Sequence, residues 1–124
     1  MRRVAFLILI GAAALAQTPA AGQVTWTGWF SDAGCARGRL TAATLSGNNP
    51  ECARQCIEKG AEAVFISEQA RDIFRVKDYS AVVENLGYKL EISGRVDGAA
   101  KTISVQTVKR ISEYQGPSCA RPKK

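Results

Sequence analysis

The cysteines are the residues of this chain with the most distinctive chemistry: Cys35, Cys52, Cys56 and Cys119. Cys52 and Cys56 lie four positions apart in a segment with helical spacing, so their Cβ atoms are expected one turn apart, at about 6 Å. A disulfide needs Cβ atoms about 3.5 to 4.5 Å apart, which argues against a bond between these two. Two frameworks stay open: Cys35–Cys56 with Cys52–Cys119, which we favour, and Cys35–Cys52 with Cys56–Cys119.

The alternative for these cysteines is a thiol-redox or metal-handling site built from Cys35, Cys52 and Cys56. A redox-active dithiol usually has the spacing Cys-x-x-Cys, and here three residues separate the helical pair. Zinc sites usually contain paired Cys-x2–4-Cys knuckles, which the chain lacks. We therefore predict structural disulfides, with no metal site and no cofactor.

Histidine is absent from the sequence. Its absence removes Ser-His-Asp and Cys-His catalysis together with every histidine metal ligand. The acidic residues Asp72, Asp78, Glu84 and Glu91 fall on outward or capping positions of the predicted elements, where solvated charge is the ordinary explanation. No glycine-rich phosphate loop follows a predicted strand. We predict that the protein is not an enzyme.

The N-terminus has the pattern of an export signal. Arg2 and Arg3 precede an uncharged, mostly apolar run over residues 4–16. Its last residues, Ala14-Leu15-Ala16, have the small-x-small form that signal peptidase accepts. At about 13 residues the run is shorter than the roughly 20 needed to span a bilayer. We predict a signal peptide over residues 1–16, with cleavage possible as late as residue 22, and a periplasmic or secreted protein without a membrane span in its mature form.

Hydrophobic periodicity and turn residues divide the remaining chain into a disordered leader (17–23), one domain (24–112) and a basic C-terminal tail (113–124). Asn49 and Pro50 are typical of a helix start, and Gly60 of a helix end. Asp78 and Gly87 bracket a second helix in the same way. Residues 32–49 have the composition of a loop. The predicted strands are Val24–Ser31, Ala63–Ser67, Ile73–Lys77, Tyr88–Asp97 and Lys101–Ile111.

This order of elements predicts a mainly β fold. Five strands with a helix between the third and fourth are typical of an OB-like barrel, here with a cysteine-bearing helix inserted after the first strand. Within the strands, Gly28 indicates a bend or a close backbone approach, and Gly94 indicates a kink. The phase of the last strand slips between Val105 and Val108, which predicts a β-bulge. A small α+β sandwich made of the same elements is the alternative fold.

Three motifs resemble those of a family of short exported bacterial proteins described only as a domain of unknown function with an OB-like fold. They are Gly28-Trp29-Phe30-Ser31-Asp32 with Cys35, then Cys52-x3-Cys56-x3-Gly60-Ala61, and Ser93-Gly94-Arg95-Val96-Asp97-Gly98. The resemblance covers nearly all of the predicted mature chain and implies a periplasmic or secreted domain without an assigned activity. Members often have a histidine where Arg37-Gly38-Arg39 stands here, and Cys119 is an addition.

The candidate ligand-binding residues are Trp29, Asp32, Arg75 and Lys77. An OB-type barrel tends to bind ligands on its second and third strands, flanked by the loop after the first strand and the loop before the last. Arg75 and Lys77 lie on the third predicted strand, and Asp32 begins the long loop. Trp29 is out of phase with the inward residues of its strand, and we expect the inserted loop and helix to cover it.

Nucleic acid is not an expected partner. The formal net charge of +6 includes Arg2 and Arg3, and three of the other positive charges fall in the last four residues. The body of the domain is therefore close to neutral. Phe65 and Phe74, the aromatic residues of the second and third strands, are in phase with core positions. We predict a non-catalytic exported domain that binds an unknown small molecule or envelope component, or that has a structural role in the envelope.

Overall fold

The computed structural model describes residues 22–40 and 45–116. The predicted signal peptide, most of the predicted leader, the end of the predicted tail and Cys119 lie outside the described residues. The described part contains, in chain order, β1 (Gln23–Asp32), α1 (Ala33–Leu40), α2 (Pro50–Glu58), β2 (Ala63–Ser67), β3 (Asp72–Val76), α3 (Tyr79–Glu84), β4 (Tyr88–Asp97) and β5 (Thr102–Glu113). The predicted mainly β composition is confirmed.

The strands form one five-stranded mixed sheet. β1 is antiparallel to both β2 and β4, β2 is antiparallel to β3, and β4 is antiparallel to β5. A short parallel pairing joins β3 to β5, where Arg75 is opposite Thr102 and Val76 is opposite Ile103. Each strand therefore has two neighbours, and the order β1-β2-β3-β5-β4 leads back to β1.

Gly28 marks the point where β1 passes from one partner strand to the other. It is opposite Leu90 of β4 and also opposite Ser67 of β2. A Cβ atom at this position would lie 1.8 Å from the carbonyl oxygen of Ile66, so the two backbones approach too closely for any side chain. The close approach predicted at this glycine is confirmed.

Both predicted helices are present with the predicted caps. The Asn49 side chain accepts hydrogen bonds from the backbone N–H groups of Glu51 (2.9 Å) and Cys52 (3.3 Å), at the start of α2. Gly60 follows α2 with a φ of +102°, the left-handed conformation that glycine adopts without strain. Asp78 caps α3 by accepting from the N–H of Ala81 at 3.3 Å.

The prediction of a loop over residues 32–49 is wrong for its first half, which forms α1. The carboxylate of Asp32 accepts a hydrogen bond from the backbone N–H of Cys35 at 3.1 Å and so caps this helix. Ala36 is fully buried on the inner face of α1. The two glycines of the helix hide its signal, because glycine lowers helix propensity by about 1 kcal/mol per residue.

Two hydrophobic clusters lie on opposite sides of the sheet. The larger one fills its interior, where Trp26 packs on Phe74 with ring centroids 5.0 Å apart and Phe30 meets Phe65 edge-on at 5.7 Å. The smaller one joins α1 to the outer face of β2 through Ala36, Val64 and Ile66. β2 is therefore buried on both faces.

The β4–β5 hairpin contains the predicted bulge. Ser93 is opposite Thr107 while Gly94 is opposite Val105, so Gln106 has no partner in the ladder. Its position agrees with the slip predicted between Val105 and Val108. Within residues 22–40 and 45–116, the helices are too short and too polar to cross a membrane.

Candidate functional site

Two separate features of the fold bring reactive or charged side chains together. The first is a thiol cluster composed of Asp32, Cys35 and Cys56, which come from the end of β1, the first turn of α1 and the last turns of α2. One carboxylate oxygen of Asp32 and the two Sγ atoms all lie within 4.8 Å of one another. Cys35 and Cys56 are free, half-buried thiols.

A polar network fixes the carboxylate of this thiol cluster. Asp32 is only 2% exposed. Its Oδ2 accepts from the N–H of Cys35, and its Oδ1 accepts from the side-chain amide of Asn48 at 3.4 Å. The Asn48 amide oxygen accepts in turn from the hydroxyl of Ser31 at 2.5 Å. The segment before α2 is thereby tied to the end of β1, and the carboxylate has one orientation.

The environment of Cys35 opposes thiolate formation. Burial, a hydrogen bond to Asp32 and the negative charge of Asp32 raise the pKa of the Cys35 thiol to about 11, with a smaller contribution from Cys56. Because the thiolate is the nucleophile in thiol exchange, Cys35 lacks the lowered pKa of a redox-active cysteine.

The disulfide predictions remain predictions. Cys35 and Cys56, the favoured pair, are close but unbonded. The second favoured pair and the competing framework both include Cys119, outside the described residues. Cys52 lies one helical turn before Cys56 on α2 and does not belong to the thiol cluster.

The second feature is a groove of about 520 Å³ where β3 meets β5, which we call the β3–β5 groove. Ala63, Val76 and Ala100 are apolar residues of its lining, which otherwise consists of charged or polar residues. The ring of Tyr79, 48% exposed, stands at its edge and donates its hydroxyl to the carbonyl of Ile57 at 3.2 Å. The lining consists of Glu62, Ala63, Arg75, Val76, Lys77, Tyr79, Asp97, Ala100 and Thr102.

Some charged side chains of the β3–β5 groove already form ion pairs or hydrogen bonds within the protein. The Arg75 guanidinium lies 3.8 Å from the carboxylate of Glu62 and donates to the carbonyl of Ala100 at 3.1 Å. Asp97 accepts from two backbone N–H groups of the β4–β5 turn, each at 3.1 Å. Lys77 is exposed and has no ion pair within the described part of the chain.

The structure divides the predicted ligand-binding residues between these two features. Arg75 and Lys77 line the β3–β5 groove, and Asp32 is buried in the thiol cluster. Trp29 is half-buried in the smaller hydrophobic cluster. A Cβ atom on Gly47 would lie 2.7 Å from Cδ1 of Trp29, so the inserted loop covers the ring as predicted.

Sequence reasoning missed Ser31 and Asn48, which orient the Asp32 carboxylate. Their side chains meet across 17 residues of chain, a distance that no local pattern spans. It also missed that Asp32 belongs with Cys35 and Cys56. The spacing Asp32-x-x-Cys35 was an available signal, because an aspartate three residues before a helical position is typical of an N-cap.

No protein-family model, curated protein or solved structure matches this chain. The resemblance to the exported family with an OB-like fold therefore stays a prediction.

Proposed function

We propose that this chain is an exported, non-catalytic binding domain with an OB-like barrel, and that it binds a small zwitterionic ligand with an apolar side chain in the β3–β5 groove. The cyclic order of strand pairings and the position of α3 between β3 and β4 support the barrel. The apolar run and cleavage motif at the N-terminus support export.

The observation that carries the binding proposal is the lining of the β3–β5 groove. Ligand sites are typically concave and largely apolar, with a few polar groups that fix orientation. Ala63, Val76 and the exposed ring of Tyr79 supply the apolar surface. Lys77 supplies a positive charge without an ion pair in the described residues, and Glu62 lies on the same lining.

The arrangement of charges selects the class of ligand. A carboxylate on the ligand would meet Lys77 and the edge of the Arg75 guanidinium, while an ammonium would meet Glu62. One oxygen of the Asp97 carboxylate, Oδ1, accepts both N–H groups of the turn it caps. An amino acid or short peptide with an apolar side chain combines the three required groups in one small molecule.

A redox function is less well supported than binding. The raised pKa of Cys35 disfavours the thiolate that exchange requires. We propose that Cys52 and Cys119 form a structural disulfide that ties the C-terminal tail to α2, at a gain of about 2 to 4 kcal/mol.

Calorimetric titration with the dipeptide leucyl-leucine at pH 7 tests the binding proposal. We expect saturable 1:1 binding with a dissociation constant of about 1 mM or tighter. The variant Lys77→Gln loses a charge-assisted contact and is expected to bind about tenfold more weakly. Lys59→Gln, at the exposed C-terminus of α2, is the matched control and should bind like the native protein.

Absence of saturable heat with leucyl-leucine would overturn the zwitterion proposal. Equal losses in Lys77→Gln and Lys59→Gln would show that binding follows net charge and that the groove is not the site. Circular dichroism of each variant confirms that the fold is retained, since both lysines are exposed.

A further inference from the structure

We infer that the thiol cluster of Asp32, Cys35 and Cys56 is a binding site for a thiophilic divalent cation, zinc in the first place. This site is distinct from the β3–β5 groove. Neither Cys35 nor Cys56 lines that groove, and zwitterion binding there needs none of the three cluster residues.

The donor atoms have the composition and spacing of a zinc site. Zinc binds cysteine sulfur at about 2.3 Å and carboxylate oxygen at about 2.0 to 2.2 Å, in tetrahedral geometry. Two donors on one zinc ion are consequently about 3.5 to 3.8 Å apart. The carboxylate oxygen and the two Sγ atoms already lie within 4.8 Å of one another, so small side-chain rotations complete the site.

The surroundings of the Asp32 carboxylate favour binding of a cation. Asp32 is 2% exposed, and no lysine or arginine in the described residues forms an ion pair with it. Buried charges in proteins are generally paired or coordinate metal ions. Asn48 holds one carboxylate oxygen by a hydrogen bond, and Ser31 holds Asn48. Such outer hydrogen bonds orient the ligands of metal sites.

The rigidity of the three supporting elements favours a defined site. Asp32 ends a strand paired with β2, Cys35 lies in the first turn of α1, and Cys56 lies on α2 beside the buried Ile57. Both sulfurs are half-buried, so an ion can enter without unfolding the domain.

The ligand set selects the metal. Thiolates favour zinc, cadmium or copper(I) over calcium and magnesium, which prefer oxygen ligands. Binding of one zinc ion forms two Zn–S bonds and releases the two thiol protons to solvent. Three protein ligands leave the fourth tetrahedral position for a water molecule. The proposal concerns binding of the ion and includes no reaction at it.

A Cys35–Cys56 disulfide and a bound ion exclude each other, because the same two sulfurs form either one S–S bond or two bonds to the metal. The test therefore begins with protein in which Cys35 and Cys56 are free thiols and Cys52 stays in its disulfide, confirmed by a count of two thiols per chain, under anaerobic conditions without reductant. Cadmium is the probe, because cadmium–thiolate bonds produce an ultraviolet charge-transfer band whose intensity reports the number of thiolates bound.

We expect one cadmium ion per chain, a band with the intensity of two thiolates, and competition by zinc. Asp32→Asn should weaken binding at least about tenfold. Glu91→Gln, which changes an exposed carboxylate on β4 outside both the cluster and the β3–β5 groove, is the matched control and should bind like the native protein. The double variant Cys35→Ser/Cys56→Ser retains Cys52 and Cys119 and should lose the band.

Three results would overturn the proposal: no cadmium band in the folded protein with both thiols free, an undiminished band in the double variant, or equal binding by Asp32→Asn and the native protein. Because Asp32 also caps α1, far-ultraviolet circular dichroism of Asp32→Asn is recorded alongside. If that variant unfolds, the proposal is decided by the band of the double variant and by the number of cadmium ions bound per native chain. Dipeptide binding is also measured for the double variant. Because the β3–β5 groove contains neither cysteine, this measurement tests the groove proposal independently of the metal site.

Discussion

Replacement of Gly28 by alanine tests the strand crossing on which the sheet depends. Backbone propensity alone predicts a gain, because glycine in a strand interior costs about 0.5 to 1 kcal/mol relative to alanine. The structure predicts a loss. The new Cβ would lie 1.8 Å from the Ile66 carbonyl oxygen and 2.8 Å from Cζ of Phe65, where ordinary contact begins at 3.4 Å.

The expected loss of stability follows from the displacement that the new Cβ atom imposes on the two strands. Relief of the contact requires about 1.6 Å of displacement between β1 and β2, and β2 is buried on both faces. Overpacking of a core typically costs about 1 to 3 kcal/mol, and a clash with backbone belongs at the upper end of that range. At about 4 to 8 °C per kcal/mol for a domain of this size, the melting temperature should fall by about 12 to 24 °C.

Urea and thermal unfolding of Gly28→Ala measure this effect. Gly38→Ala is the control: Gly38 lies in α1, and a Cβ there would have no neighbour within 4 Å among residues 22–40 and 45–116. That change should stabilise the protein by about 0.5 to 1 kcal/mol through helix propensity. A Gly28→Ala variant as stable as the native protein would refute the close crossing of β1 and β2.

Three further predictions concern the core, an ion pair and export. Phe65→Ala should cost about 3 to 5 kcal/mol in urea unfolding because Phe65 is fully buried; a loss below 1 kcal/mol would contradict its place in the core. Burial alone would raise the pKa of Glu68, but Lys89, with Nζ 3.0 Å away, and a hydrogen bond from the Thr27 hydroxyl together more than offset it and lower the pKa below 4.5. This stabilising contribution is present above pH 4.5 and is lost as pH falls through the lower folded pKa. Native protein should therefore lose more stability than Glu68→Gln between pH 6 and pH 3, by less than about 1 kcal/mol because the pair is partly exposed; equal losses would contradict it. Intact mass of the exported protein should match a chain that begins at Gln17 or Gln23, and an uncleaved mass would contradict the signal peptide.

The sequence predicted those elements whose signals are local. α2 and α3 are bounded by an aspartate or asparagine cap and by a glycine, and both signals act within one turn of the helix. The slip in β5 was visible because the alternation of inward and outward residues changes phase at Gln106.

The features that the sequence did not predict depend on contacts between distant segments. α1 is stabilised by burial of Ala36 against β2, which outweighs the low helix propensity of its glycines. Asp32 joins Cys35 and Cys56, the pair that the sequence favoured, because Asn48 returns to the end of β1 and donates a hydrogen bond to its carboxylate. Neither contact follows from periodicity, since each joins residues of different elements.

Contacts between distant segments also explain why the predicted ligand-binding residues lie in two separate places. Asp32 follows a strand and is polar, which is typical of an exposed loop position. Its burial depends on the inserted segment that folds over it and over Trp29. Arg75 remains at the surface because it points to the face of β3 opposite the buried Phe74 and Val76, and Lys77 is exposed just after the strand ends.

The location of bound dipeptide tests the central claim, a ligand-binding groove between β3 and β5, most directly. Amide chemical shifts of isotope-labelled protein are followed during titration with leucyl-leucine. We expect saturable changes concentrated at Val76, Lys77, Tyr79 and Thr102, with little change in α1 or at the β5 end near Glu113. Changes concentrated around Trp29 and α1, or no saturable change anywhere, would contradict it.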